Sequence, residues 1–498
     1  MKEWIEPNRT DDENFDPKEI FLAGERNHHI SNTAYPMAHE LTWKDYRKPN
    51  DSHKPLVEKS FEHLDSINLY SHIPFCETRC YFCEYTVVNR KESEQIEEYM
   101  KALNKEALLY SNLIGRKKVL GFDIGGGTPS FVPSKFIAEH IDLVQNHFDL
   151  DNSLEISIET TPKIASLESV KIKDYFQMGI RRISMGIQVT QPDLLKELGR
   201  DTNGIANIKK ASEVIRDAGF QKFNVDLMYG FANQSLQSWE ATLEFALSLN
   251  PDYITLYRMR YKLTRISDQA SKVDLAQVKL MAKLAKVFLQ NHGYAANPGK
   301  NTYSRLKNDT GTSHYLTRRV IQGKSYLGLG LGAQTFTDTT ISYNSGSIGK
   351  NLNPYFDKIN KELLPIQDLY HLPRVQMMTK MVAVSFYFGE VNLQSFQDKF
   401  SISFEDAYDQ ATSYAIENGL MKYTDSQNGI ELSSFSKQLD PIENFKCLSL
   451  TSKGAEFFNG SIALFYAPSI QKYLLERNID SSTDFVKNQK LSLAVASK

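Results

Sequence analysis

Short apolar runs alternate with longer amphipathic stretches along the chain from residue 67 onwards. Each run is rich in β-branched or aromatic residues and is followed by a glycine or a polar turn. The runs cover residues 67–73, 119–125, 155–160, 181–188, 223–230 and 253–259. Stretches with helical periodicity, such as 92–114 and 235–249, lie between them. This alternation predicts an α/β fold, with a parallel sheet covered by helices that forms a partial (β/α)6 barrel.

The segments on either side of this repeat follow other patterns. Residues 1–65 are polar with scattered apolar positions, and we expect an irregular extension that wraps around the main body at residues 66–340. A partly disordered tail is the alternative, although five aromatic residues could anchor the segment: Trp4, Phe21, Tyr35, Trp43 and Tyr46. A connecting segment at 341–372 would lead to a winged-helix-like module at 373–498. That module lacks a basic recognition helix, which favours a lid or packing role over DNA binding.

Composition and charge restrict the classes of partner. The 498 residues carry 58 Lys and Arg against 60 Asp and Glu, so no basic surface for nucleic acid is expected. No stretch approaches the 18 or so consecutive apolar residues that a membrane span requires, and the first residues contain no apolar signal segment. We therefore expect a cytoplasmic monomer with two or three domains, a small-molecule substrate, and no nucleic-acid or membrane partner.

Three of the four cysteines stand together directly after the first predicted strand, as Cys76, Cys80 and Cys83. The CxxxCxxC spacing puts three soft thiolate ligands on one short loop, which suits three irons of a [4Fe-4S] cluster. The fourth iron would lack a protein ligand, because Cys447 lies far downstream. A zinc site would need a fourth ligand, for which His72 is the nearest candidate, and disulfides would need an oxidising compartment. The spacing therefore favours the cluster over both alternatives.

A glycine-rich run, GFDIGGGTPS, occupies residues 121–130 at the end of the second predicted strand. Consecutive glycines let the backbone approach a ligand closely, while Thr128 and Pro129 fix the direction in which the chain leaves. Alone, the run is a weak signal, since a tight strand-to-helix turn would look the same. Its position one strand after the cysteine triplet makes it specific.

Together these motifs resemble the radical S-adenosylmethionine (SAM) superfamily. Further segments between residues 66 and 336 resemble its oxygen-independent coproporphyrinogen III oxidase-like branch: YSHIPFC, ISIETTP, RISMGIQ, LLKELGR, NVDLMYG and YLGLGLGAQTF. The resemblance implies that Cys76, Cys80 and Cys83 hold a [4Fe-4S] cluster whose open iron binds SAM. An electron from the cluster would cleave SAM to a 5′-deoxyadenosyl radical, so a reducing partner such as flavodoxin or ferredoxin is also implied.

The resemblance further implies which residues contact SAM. The matching positions are Tyr70, Phe82, Gly125, Gly126, Gly127, Thr128, Glu159, Gln188, Arg200, Asp226 and Ala333. Phe82 would pack near the adenine, the glycines and Thr128 would meet the methionine moiety through their backbone groups, and the carboxylates would accept hydrogen bonds from ammonium or ribose hydroxyls. Some members bind two SAM molecules, which Gln188 and Arg200 would share, with Ala333 near the second. Tyr70 would also be the catalytic residue; a core aromatic is the alternative.

Two departures from the branch affect the expected reaction. Glu84, Tyr85 and Thr86 follow the third cysteine where oxidases of the branch usually carry Gly-Cys-Asn, and Ala232 replaces a proline after the fifth strand. These departures favour an enzyme that uses a second SAM as carbon donor, for methylation or cyclopropanation of a small organic substrate. One alternative is oxidative decarboxylation of a porphyrinogen propionate in porphyrin biosynthesis, with Arg258 and Arg260 available for carboxylates. A haem-binding carrier is the other.

Overall fold

A twelve-stranded sheet forms the centre of the protein in the computed structural model. The structure describes residues 4–26, 35–36, 39–88, 94–151, 153–261, 264–307, 309, 311–424 and 447–476. The strands of this sheet are β1 (Ser66–Ile73), β2 (Lys118–Gly126), β3 (Asp149–Leu150), β4 (Ile156–Thr160), β5 (Ile180–Gln188), β6 (Lys222–Tyr229), β7 (Tyr253–Arg258), β8 (Thr302–Ser304), β9 (Tyr326–Leu329), β10 (Gln334–Phe336), β11 (Thr340–Asn344) and β12 (Ile366–His371).

The six predicted strands are β1, β2, β4, β5, β6 and β7, and they lie side by side in chain order. All five of their pairings are parallel, and β9 joins the parallel set on the other side of β1. Antiparallel strands then extend the sheet, with β8 beside β7 and β10 to β12 beyond β9. The path ends at β8 and β12 without closing, so the predicted α/β partial barrel is confirmed.

Helices cover the outer face of the sheet and flank it at both ends. Those before β1 are α1 (Pro17–Arg26), α2 (His39–Thr42) and α3 (His53–Phe61). Those within the sheet region are α4 (Ile96–Ile114), α5 (Ser134–His147), α6 (Pro162–Leu167), α7 (Ser169–Gln177), α8 (Pro192–Glu197), α9 (Ile205–Asp217), α10 (Leu236–Ser248), α11 (Leu275–Asn291), α12 (His314–Leu316) and α13 (Asn353–Asn360). Outward-facing strand residues such as Leu69, Phe122 and Ile158 are fully buried against these helices and form the main core.

The segment before β1 corrects one expectation. It is not irregular over its length, because α1 and α3 are regular helices that pack against other parts of the protein. The predicted aromatic anchors are present. Tyr35, Trp43 and Tyr46 are almost fully buried, and Trp4 and Phe21 are partly buried against the same core cluster.

The module after β12 has the element order of a winged helix. Its elements are α14 (Arg374–Ser385), β13 (Glu390–Asn392), α15 (Leu393–Phe400), α16 (Phe404–Glu417), β14 (Met421–Thr424), β15 (Cys447–Leu450), α17 (Ser452–Glu456), α18 (Phe458–Ala463) and α19 (Pro468–Glu476). The three strands form a separate antiparallel sheet in the order β13, β15, β14. The predicted wing between β14 and β15 falls on residues 425–446, outside the described residues. The predicted domain boundaries stay a prediction, but β11 and β12 place much of the expected connecting segment in the main sheet.

The residues between β8 and β9 cross the inside of the barrel near the start of the parallel strands. Ser313 Oγ donates to Asp123 Oδ2 of β2 at 2.6 Å, Arg182 Nη2 of β5 donates to the Gly311 carbonyl at 2.9 Å, and the Tyr253 hydroxyl of β7 donates to Asp309 at 2.8 Å. We call residues 309 and 311–316 the plug. Among the helices of the described ranges, none combines the length and apolar character needed to cross a membrane.

The plug passes so close to β2 that only glycine fits at position 121. A Cβ there would lie 2.5 Å from the backbone nitrogen of Tyr315, whereas a Cβ at Gly204 would meet nothing within 4 Å. We expect Gly121→Ala to lower the free energy of unfolding by about 1–3 kcal/mol, because backbone must shift. Gly204→Ala, the control, should cost less than about 1 kcal/mol at its helix N-cap position. Urea unfolding measures both, and equal losses would contradict the close packing of the plug.

Candidate active site

The cysteine loop lies at the C-terminal edge of the parallel strands, where functional groups collect in such folds. Contacts within the loop segment and contacts from two other parts of the chain hold it. The Val88 amide donates to the Pro74 carbonyl at 3.1 Å, and Arg79 Nη2 donates to the Cys83 carbonyl at 3.1 Å. Lys350 Nζ donates to the carbonyls of Glu84 at 3.1 Å and of the next residue at 2.7 Å. The Tyr81 amide donates to the Leu198 carbonyl at 3.0 Å.

The three thiols are partly buried and have different neighbours. Cys76 Sγ lies 3.3 Å from the Thr128 hydroxyl, and Arg200 Nη1 donates to Cys80 Sγ at 3.3 Å. Burial raises the pKa of Cys76 to about 12 and raises that of Cys83, so these two thiols stay protonated at neutral pH when no metal is bound. Iron ligation replaces those protons. Within the described ranges, no three His, Cys, Asp or Glu side chains converge as a single ion would require. A four-iron cluster needs no such convergence, because each thiolate binds a different iron.

The glycine run at the end of β2 binds the cysteine loop through its backbone. The Gly127 amide donates to the Ile73 carbonyl and the Thr128 amide to the Phe75 carbonyl, both at 2.8 Å. A Cβ at Gly127 would lie 2.8 Å from the Phe75 oxygen and 3.0 Å from Cys76 Sγ. At Gly126, which has a φ of +124°, a Cβ would lie 2.8 Å from the His72 ring. These amide groups are therefore engaged within the protein, and the predicted contact of Gly125 to Thr128 with methionine stays a prediction.

The structure brings Tyr70, Gly125 and Glu159 together on the inner face of the barrel. A Cβ at Gly125 would lie 3.0 Å from Glu159 Oε1 and 3.1 Å from the Tyr70 hydroxyl. The Gly126 amide donates to Glu159 Oε2 at 3.3 Å. The Glu159 side chain is exposed to solvent inside the barrel. Desolvation by the surrounding protein is nevertheless the main cause that raises its pKa to about 8, and the charge of Asp226 is the second cause. Glu159 is thus an acid that a nearby cation would ionise.

Asp226 lies in the middle of β6, not at its end. Its two carboxylate oxygens accept hydrogen bonds from Ser184 Oγ at 2.7 Å and from Asn224 Nδ2 at 2.8 Å, while burial raises its pKa. Both partners point into the barrel from β5 and β6, as alternation along a strand requires. The predicted contact of Asp226 with SAM therefore involves a carboxylate that already has partners within the protein.

Gln188 and Arg200 meet at a bulge that ends β5. Gln188 has a φ of +71°, which is uncommon for a residue other than glycine, and the pairing with β6 shifts register beside it. A Cβ at Gly186 would lie 2.7 Å from Gln188 Nε2, so the glutamine side chain folds back over that glycine. Arg200 Nη2 donates to the Gly186 carbonyl at 2.6 Å, while its other terminal nitrogen contacts Cys80. Arg200 thereby connects the cysteine loop to the end of β5.

Phe82 and Ala333 lie at the borders of this arrangement. Phe82 packs on an apolar cluster beyond β5 to β7, with its ring centroid 6.4 Å from that of Phe231. Ala333 is buried in the turn between β9 and β10, where its amide donates to the Gly330 carbonyl at 3.2 Å and its carbonyl accepts from the Asn344 amide at 2.9 Å. The predicted backbone contact of Ala333 with a second SAM would therefore compete with contacts that the turn itself makes.

His72 is a site residue whose role sequence reasoning missed. Its Nε2 lies 2.8 Å from the Thr86 carbonyl, which can only accept, so we assign the proton to Nε2. Nδ1 then accepts from the Tyr70 hydroxyl at 3.3 Å. Burial lowers the pKa of His72 to about 4, which keeps the ring neutral at pH 7. The available signal was spacing, because residues two apart on a strand share a face.

Comparison with known proteins shows similarity to one superfamily. The model of the radical SAM superfamily matches residues 70–246. The heme chaperone HemW of Haemophilus influenzae is 33% identical over 200 residues, which are 39% of this chain and 51% of that protein. The oxygen-independent coproporphyrinogen III oxidase of Synechocystis is 26% identical over 395 residues, covering 75% of this chain and 81% of that enzyme. The match thus spans about half the length of the HemW relative.

Among solved structures, coproporphyrinogen III oxidase (HemN) from Escherichia coli, described as a radical SAM enzyme, matches with a TM-score of 0.69 at 21% identity. The match covers 87% of this chain and 96% of that one, so the two share a fold. A [4Fe-4S] cluster and SAM are the cofactors of this group, and the three thiols beside the glycine run fit them. Residues 70–246 thus match the radical SAM superfamily, and the chain as a whole is similar in sequence and fold to proteins of the oxygen-independent coproporphyrinogen III oxidase-like branch.

Proposed function

We propose that this radical SAM protein acts on a tetrapyrrole and catalyses oxidative decarboxylation of a porphyrinogen propionate. The observation that carries the radical chemistry is the placement of three thiols at the strand ends, with Arg200 on Cys80 and with Tyr70 and Glu159 on the same edge. The names of the relatives support the choice of substrate. They give no support to methylation or cyclopropanation. Oxidative decarboxylation, which the sequence left open as an alternative, therefore replaces carbon transfer as the proposed reaction.

When bound, the cluster and SAM supply a 5′-deoxyadenosyl radical. Cys76, Cys80 and Cys83 would hold the cluster, and the Arg200 guanidinium would stabilise the extra negative charge of its reduced state. Glu159 would lose its proton beside the SAM ammonium group and then accept a hydrogen bond from it. Tyr70, whose hydroxyl donates to neutral His72, lies beside Gly125 and Glu159 on the same edge. Each of these groups positions a reactant without needing a large movement.

A haem-binding chaperone is the second candidate function. The residues after the third cysteine favour it, because Glu84 stands where oxidases of the branch usually carry glycine. Its carboxylate forms an ion pair with Arg260 beyond β7, and Lys350 covers the backbone of the same segment. These contacts fill the edge of the site with protein groups, and Arg260 is then less available to a propionate.

The products distinguish these functions. The anaerobically reconstituted protein should be incubated with SAM, a reductant and coproporphyrinogen III, followed by mass analysis of the porphyrin and of the SAM-derived products. Decarboxylation converts a propionate to a vinyl group and carbon dioxide: one hydrogen atom passes to the radical to give 5′-deoxyadenosine, the second electron passes to an electron acceptor added to the assay, and no S-adenosylhomocysteine forms. Appearance of S-adenosylhomocysteine would contradict the proposal and restore methyl transfer. Tight haem binding with SAM cleavage near background would favour the chaperone.

Cluster ligation should depend on Cys80 and not on Cys447. Cys80→Ala removes one of three thiolates and should abolish stoichiometric iron, the brown colour and 5′-deoxyadenosine formation. Cys447 lies on β15 of the second sheet, so Cys447→Ala is the matched control and should keep all three. Iron analysis and absorbance of the reconstituted proteins provide the measurement. Loss of the cluster in the control would show that the ligand set is wrong.

Arg200 should tune the cluster without being needed to bind it. Arg200→Gln removes a positive charge and a donor at Cys80 Sγ, so we expect retained iron, a more negative reduction potential and about tenfold slower 5′-deoxyadenosine formation. Arg265→Gln is the control, since its guanidinium lies 5.9 Å from the Tyr81 ring of the same loop without a thiol contact. Redox titration followed by electron paramagnetic resonance measures the potential. An unchanged potential in Arg200→Gln would refute this role.

A further inference from the structure

Arg319 lies inside the barrel, in contact with two tyrosine rings. It belongs to a short π-helical turn, Thr317–Ile321, between the plug and β9. Its guanidinium carbon is 4.4 Å from the Tyr326 ring centroid and 5.6 Å from that of Tyr315, and Nη1 donates to the Tyr315 hydroxyl at 3.2 Å. Nε is shielded from solvent and has no hydrogen-bond acceptor among the described residues. In that part of the chain, no carboxylate forms an ion pair with Arg319.

The charged groups around Arg319 leave an excess of positive charge. Asp123 is the acidic neighbour, but burial raises its pKa to about 7, so it is only partly ionised at neutral pH. Lys380 of α14 approaches from the C-terminal module, and burial together with Arg319 lowers its pKa to about 7. At neutral pH Lys380, which donates to the Tyr35 carbonyl at 2.7 Å, is only partly protonated, so Arg319 is the full positive charge beside a partly ionised acid. The oxygen acceptors of the buried Arg319 guanidinium are neutral phenols. Hydrogen bonds to these neutral groups do not offset the free-energy cost of removing the charge from water.

Aromatic stacking connects Arg319 to the candidate active site. The ring of Tyr315 stacks on that of Tyr70, with centroids 5.8 Å apart and planes at 26°. Tyr70 in turn lies beside Gly125 and Glu159. Tyr70, Asp123, Glu159 and Arg319 all point into the barrel and all keep some exposure, although the strands around them are buried. A ligand in this space can reach the guanidinium and the edge that carries the cysteine loop.

We propose that Arg319 is a carboxylate-binding residue for the substrate. The proposal rests on the proposed function, for which the carboxylate is a propionate of the tetrapyrrole, and it gives that site a named anchor inside the barrel. Nε is one of the donors that a carboxylate uses in a bidentate contact with arginine. The rings of Tyr315 and Tyr326 hold the guanidinium in place, so binding needs little reordering of the side chain. The substrate then extends from Arg319 past Tyr70 towards Glu159.

The test uses propionate as an isolated carboxylate probe on the reconstituted holoprotein, with propionamide as its uncharged counterpart. We expect propionate, but not propionamide, to raise the melting temperature of the wild type. Arg319→Met should weaken propionate binding by about 10- to 100-fold, as loss of a charged hydrogen bond predicts, and Arg319→Lys should weaken it less. Arg318→Met, the adjacent residue on the same turn, should bind propionate like the wild type. An equal response in Arg319→Met and wild type, or no response to propionate in the wild type, overturns the proposal.

A second measurement needs no variant and covers the case in which Arg319→Met does not fold. Phenylglyoxal modifies accessible arginines, and peptide mass analysis reports each site. Propionate should slow modification at Arg319 several-fold and leave Arg318 unaffected; equal protection at both, or at neither, contradicts the proposal. Because propionate carries no tetrapyrrole, these results are independent of the assay with coproporphyrinogen III. If propionate protects Arg319 but the protein does not decarboxylate the porphyrinogen, the result supports the carboxylate site and contradicts the proposed reaction.

Discussion

The active edge depends on a backbone constraint at the end of β2. Two amides there donate to carbonyls on either side of Pro74, and this fixes where the cysteine loop leaves β1. Side chains larger than hydrogen at positions 126 and 127 would collide with His72, Phe75 and Cys76. The glycine run and the cysteine triplet are therefore one structural unit, although Gly125 lies 42 positions after Cys83 in the sequence. The positions of Tyr70 and Glu159 follow, because both side chains rest against Gly125.

A second consequence of this geometry is electrostatic. The inner faces of β2, β4 and β6 carry Asp123, Glu159 and Asp226, and protein burial raises the pKa of each. An acid that is neutral when the site is empty can ionise when a cationic ligand arrives, so binding is coupled to proton release. The guanidiniums of Arg200 and Arg319 have different surroundings. Arg200 contacts a thiol and a carbonyl, whereas the oxygen neighbours of Arg319 are phenols.

The parallel core could be predicted from the sequence because each apolar run there forms a strand, and the strands lie in the sheet in the order of the chain. The runs from 67–73 to 253–259 became adjacent strands, since consecutive strand–helix units give one dominant connection. The thiols and the glycine run could be found because spacing identifies them. Helices α1 and α3 were missed because each is a single short element outside the strand–helix repeat; α1 packs on the C-terminal module, whereas Val57 and Phe61 of α3 belong to the main core. The environment of Arg319 could not be predicted from the sequence. It is formed by β9, α14 and the plug, and the composition of these segments does not show that they contact Arg319.

The contact between residues 8–26 and the end of the module has a consequence for folding. Asp11 accepts a hydrogen bond from the Ser469 amide, and α1 packs on α18 and α19. On the ribosome, the segment that is synthesised early must wait until nearly the whole chain has been made before its partner exists. During that interval its apolar side chains, including Ile20 and Phe21, have no native surface to cover them. The parallel core can form during synthesis. Residues 8–26 can pack only afterwards, when the module folds onto the barrel.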